Sequence, residues 1–169
     1  KIEERVPDVL ERSVELVGSY LNAARIGIES LADSFDDSGE IKTFEVANPE
    51  DELSDYLDAF GSSNKGYPLF PLNEHAIKGF LDEGSVGQGK AIYNPRKILN
   101  HVLREPLKAR DHFDREEFPP QSLGTKTLIN ADLAGIAGAL AEDGSNPRAI
   151  DRYLKIIAYW GGQPTTKEE

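Results

Sequence analysis

Tyr93-Asn94-Pro95-Arg96-Lys97-Ile98-Leu99-Asn100-His101-Val102-Leu103 is the stretch on which the reading of this chain turns. Asparagine before a helix accepts a bond from a backbone N–H that has no partner inside the helix. Proline at the first helical position lacks the N–H that would be orphaned there. Ile98, Leu99, Val102 and Leu103 then recur at helical spacing. The same start chemistry stands at Asn48-Pro49 and at Asn146-Pro147-Arg148-Ala149-Ile150. The flanking sequences do not align, so this is a shared device rather than an internal repeat. Asn73 is a fourth start, with Leu72 and Ile77 spaced for a hydrophobic staple, as Tyr93 and Ile98 are around Asn94.

Working outward, these starts and the apolar spacing predict helices over 49–60, 74–83, 95–113, 128–142 and 147–160. Pro106 is expected to kink or split the third of them. Upstream, Val9, Leu10, Val14, Leu16, Val17, Tyr20, Leu21, Ala24, Ile28 and Leu31 predict a long helix over 7–35, ended by Asp36-Asp37-Ser38-Gly39. Within it, Gly18 and Gly27 either weaken the helix or let another helix approach closely. Ile41 to Val46 alternates apolar and polar and is the one good strand candidate. The expected fold class is mainly α, with at most one short strand or strand pair. The expected organisation is an N-terminal helical segment over 1–66, a helical subdomain over 67–117, a connection over 118–127 serving as a hinge, and a C-terminal helical subdomain and tail over 128–169.

The bulk numbers narrow the function classes. The chain has 169 residues, 38% hydrophobic and 29% charged, which suits a globular chain with a real core. No apolar run approaches the roughly 20 residues that span a bilayer, and no signal peptide is legible after Lys1. With no cysteine there is no disulfide framework and no thiolate metal site. A cytoplasmic setting without membrane contact is expected. The absence of methionine and the start at Lys1 predict a fragment or a processed chain. A net charge of −11 repels phosphate backbones, so no direct nucleic-acid binding by this chain is expected.

Few residues invite chemistry. Gly84-Ser85-Val86-Gly87-Gln88-Gly89-Lys90-Ala91 matches most of the phosphate-loop pattern, but Ala91 lacks the hydroxyl that would bind magnesium. The residues before it read as a helix rather than a strand, so a Gly-rich connection is expected. His75, His101 and His112 form no paired metal spacing, and Asp111-His112-Phe113-Asp114 reads as a solvated helix end. No catalytic residue and no metal ligand is expected in this chain. Tyr159-Trp160-Gly161-Gly162 reads as a helix end with aromatic packing, with Tyr159 and Trp160 as candidates for a partner contact. Arg96 sits where a helix start held by Asn94 and Pro95 favours anions, so it is a candidate phosphate-binding residue.

Residues 67–104 resemble the helical lid that follows the nucleotide-binding core in AAA+-like P-loop ATPases. The resemblance is carried by Tyr67-Pro68-Leu69-Phe70-Pro71-Leu72-Asn73, the helix from Glu74 to Leu81, a variable loop, and Tyr93-Asn94-Pro95-Arg96 opening the next helix. Within that group the wording is most similar to the DptF-type ATPase of DNA-phosphorothioation-dependent restriction systems. The resemblance implies a helical lid-type bundle in which Arg96 is the nucleotide-sensing arginine. It also implies ATP and magnesium as cofactors of the parent protein. The implied partners are the rest of that ATPase and other restriction-complex subunits. This chain departs from a complete ATPase: it has no full phosphate loop and no apolar run ending in Asp-Glu. The alternative is a non-enzymatic helical module for protein interaction.

Overall fold

The computed structural model describes residues 6–33, 46–47, 51–84, 92–123 and 131–161. These residues are mainly helical. They form α1 (Val6–Ile26), α2 (Ile28–Asp33), α3 (Asp51–Phe60), α4 (Glu74–Gly84) and α5 (Pro95–Lys97), which runs through a π-helical stretch (Ile98–Arg104) into α6 (Glu105–Lys108). Then come α7 (Arg110–Asp114), α8 (Ala131–Glu142) and α9 (Pro147–Trp160). Among the described residues the only extended pairing is one isolated antiparallel bridge, Ser62 with Pro68. The strand candidate lies outside the described residues except for Val46, which is irregular, and the Asn48-Pro49 cap lies outside them too.

The two glycines expected to perturb the first helix act differently. Gly27 has φ of 84°, a left-handed conformation that breaks the long element into α1 and α2. Gly18 admits a close neighbour, but that neighbour is the loop between α3 and α4 rather than another helix. A Cβ at Gly18 would lie 3.1 Å from Tyr67 Cβ and 3.2 Å from Ser63 Cβ. The loop itself is tight: Ser63 N donates to Tyr67 O at 2.9 Å and Leu69 N donates to Gly61 O at 2.9 Å.

Arg25 fastens the chain beyond this loop. Its guanidinium donates to Pro68 O at 3.0 Å and also to Phe70 O. Desolvation by burial lowers its pKa. The fork geometry of arginine lets one side chain satisfy both carbonyls. Arg25→Met keeps the apolar stem but orphans both, and is expected to destabilise the fold by about 1–3 kcal/mol, measured by denaturant unfolding.

One hydrophobic cluster gathers side chains from Val14 to Tyr159. It takes Val14, Val17 and Leu21 from α1, Leu69 and Leu72 from the following loop, and Ala76, Ile77 and Phe80 from α4. Ile98, Val102 and Leu103 come from the π-helical stretch, Leu123 from the connection, and Tyr159 from α9. All four expected segments therefore contribute to a single core.

Pro106 was expected to kink or split its helix, and the observed solution is a change of register. A proline ring collides with the carbonyl four residues earlier, here that of Val102, and it donates no bond. The turn widens to π over Ile98–Arg104, just ahead of Pro106, and the helix continues to Lys108. The break comes later, at Ala109, with φ −77° and ψ 4°.

Of the connection expected over 118–127, residues 118–123 are described; Gln121 and Ser122 are exposed, and the rest lies outside the described residues. Pro119 and Leu123 are buried, and Phe118 packs against the core. Arg152 Nε donates to Phe118 O at 3.1 Å, and Lys155 Nζ donates to Gln121 O at 2.7 Å. No described helix is long and apolar enough to cross a membrane.

Candidate functional site

The start of the 95–108 helix forms as its residue types require. Asn94 is extended, with φ −138° and ψ 99°, and its Oδ1 accepts from Lys97 N at 3.2 Å. Pro95 takes the first helical position. Ile98, one turn on, is 1% exposed and anchors the helix in the core. On the other side of the cap, the Arg12 guanidinium stands 3.9 Å from the centre of the Tyr93 ring, a cation–π contact that ties the start to α1. The backbone carrying Arg96 is thus held at the cap, in the core and through Tyr93.

Arg96 itself is exposed, and among the described residues it makes no ion pair or hydrogen bond. A cation on a fixed helix start can meet an anion with little reorganisation. A hollow near the helix start, lined by Asn94, Lys97 and His101 among others but not by Arg96, has a volume of about 20 Å³, room for one water. No group of three or more His, Asp or Glu among the described residues could hold a metal ion.

The Gly-rich string 84–91 lies outside the described residues except for Gly84, which closes α4. The element ahead of it is a helix rather than the strand that precedes a phosphate loop, and the next described helix begins at Pro95. His112 Nδ1 lies 3.4 Å from Glu117 Oε2 at the end of α7, in keeping with a solvated helix end.

The aromatic pair at the end of α9 splits in role. Tyr159 is 2% exposed and stacks on Phe80 at 4.7 Å between ring centres; its hydroxyl donates to Glu83. Trp160 is half-buried. Its Nε1 donates to Pro71 O at 3.0 Å, and its carbonyl accepts from Asn73 Nδ2 at 2.8 Å. Tyr159 therefore offers almost no surface to a partner, while Trp160 keeps a face toward a groove. That groove went unnoticed in the sequence. It encloses about 250 Å³ and lies between Phe70-Pro71-Leu72, the Pro106–Phe113 stretch, Phe118 and Trp160. The signal available was Leu107 and Phe113, apolar residues on a stretch otherwise rich in charge.

No protein-family model, no curated protein and no solved structure matches this chain.

Proposed function

We propose that this chain is the helical, lid-type part of a P-loop ATPase acting in DNA-phosphorothioation-dependent restriction. On this reading it works in the cytoplasm and lies over a nucleotide held by a core outside these residues. The observation that carries the reading is Arg96: an exposed guanidinium on a helix start fixed by Asn94, Pro95 and buried Ile98. The supporting resemblance covers 67–104, and residues from this stretch on both sides of the loop share one core. The chain's task would be to aim this guanidinium at phosphate oxygens and to pass the state of the nucleotide on to partner subunits.

The test is Arg96→Ala in the intact protein. Loss of a charge-assisted contact to developing phosphate charge can be worth a few kcal/mol, and each 1.4 kcal/mol is about tenfold in rate. ATP turnover is expected to fall about tenfold or more with folding unchanged. Wild-type turnover in this variant would end the lid reading.

A second reading, a helical interaction module without a nucleotide role, has its own support. The α8–α9 hairpin leaves Ile136, Tyr153, Ile156 and Ile157 exposed together with Ala and Gly positions of α8. Apolar side chains gathered on two adjacent helices suit contact with another protein.

A further inference from the structure

We infer that the groove between Phe70-Pro71-Leu72 and the Pro106–Phe113 stretch is a docking site for a short segment of a partner protein. That segment presents one large apolar side chain beside a carboxylate. The inference rests on the interaction-module reading and needs no nucleotide.

Three observations lead to it. The first is size. About 250 Å³ is far more than a water requires, yet below the roughly 300–1,000 Å³ of pockets that enclose drug-sized ligands. It matches an anchor pocket that takes one or two side chains, the kind that carries most of the affinity at a protein interface. The second is what surrounds it. Phe113 is 56% exposed and Leu107 is 45% exposed, so apolar surface continues outward from the groove. A small molecule seated in the groove would leave that surface in water; a peptide passing across it would cover it.

The third observation is charge. Two backbone carbonyls in the wall are already engaged: Phe70 O accepts from Arg25, and Pro71 O accepts from Trp160 Nε1. Arg110 also lines the groove. It is exposed, and among the described residues it has neither ion pair nor hydrogen bond. The complement of an apolar groove with one unmatched guanidinium is an apolar group next to one carboxylate. The chain's net charge of −11 repels a strongly acidic partner, which limits the match to a segment with few negative charges.

Trp160 is the single tryptophan of the chain and it lines the groove, so its fluorescence reports occupancy directly. The probe is a random 12-residue peptide display library selected against the whole chain. Recovered peptides are measured by Trp160 emission and by fluorescence polarisation. The expected result is enrichment of an aromatic or leucine residue within two positions of Asp or Glu, with a shift in Trp160 emission. Arg110→Gln, at an exposed position, should weaken binding about tenfold with unchanged thermal stability, and Phe113→Ser should weaken binding at least as much in a variant that still folds, as circular dichroism checks. Arg110→Gln should also reduce the salt dependence.

Basic peptides, or peptides indifferent to both substitutions, would overturn the proposal. Binding lost in Tyr153→Ser but kept in Arg110→Gln would also overturn it, while leaving the chain an interaction module through its α8–α9 face. Micromolar phenylacetate binding without any selected peptide would overturn it in favour of a small-molecule pocket. Failure to recover any peptide would overturn the groove proposal, while the interaction reading would still stand on the α8–α9 face.

Discussion

Tyr159→Ala is expected to destabilise the protein by about 3–5 kcal/mol, the range for removing a large buried ring. The ring stacks on Phe80 at 4.7 Å between centres with a 21° tilt, and it lies against Gly79. A Cβ at position 79 would sit 3.0 Å from Tyr159 Cδ1, so α4 carries glycine in its interior to receive this ring. Alanine at 159 empties that contact and uncouples α9 from α4. Each kcal/mol lowers the melting temperature by roughly 2–4 °C in a chain of this size, so calorimetry should resolve the loss easily. Tyr159→Phe removes only the hydroxyl that donates to Glu83 and should cost about 1 kcal/mol. A melting curve for Tyr159→Ala that overlays wild type would mean that α9 does not dock through this ring.

Ile98→Ala is expected to cost about 2–5 kcal/mol, because the side chain is 1% exposed and joins the central cluster. Two residues upstream, Arg96→Ala should change stability by about 0.5 kcal/mol or less, since it removes an exposed side chain. The pair separates the residue that holds the helix from the residue the helix displays. Urea unfolding of both variants measures the difference. Equal destabilisation would show that Arg96 belongs to the packing and would remove the physical basis for the sensing role proposed for it.

The features that could be read in advance are those encoded within a few residues. Asn94 caps through Lys97 N, Asn73 through Ala76 N and Asn146 through Arg148 N, each two or three positions away, so residue type and spacing suffice. The helices at 74–84 and 147–160 follow from such starts plus apolar spacing. What escaped the sequence depends on distant partners. Arg25 meets Pro68 O across 43 positions, and Trp160 meets Pro71 O across 89. Neither pairing leaves a local pattern. Gly18 was legible as a point of close approach, but not as the seat of the loop carrying Ser63 and Tyr67. At the candidate site, the exposure of Arg96 followed from its position, whereas the Arg12 contact that braces Tyr93 did not. The groove was invisible for the same reason: its walls come from four parts of the chain that periodicity treats separately.

Asn73 joins two helix ends through one planar amide. Its Oδ1 accepts from Ala76 N at 2.8 Å in the first turn of α4, and its Nδ2 donates to Trp160 O at 2.8 Å at the last residue of α9. Oxygen and nitrogen of one amide are rigidly linked, so neither bond can swing without disturbing the other. A tug on α9 along its axis is therefore felt at the first turn of α4, 87 positions away in the chain. Mechanically, this side chain is a tie-rod: it carries load between the end of the last described helix and the opening turn of the helix that leads toward the Gly-rich connection.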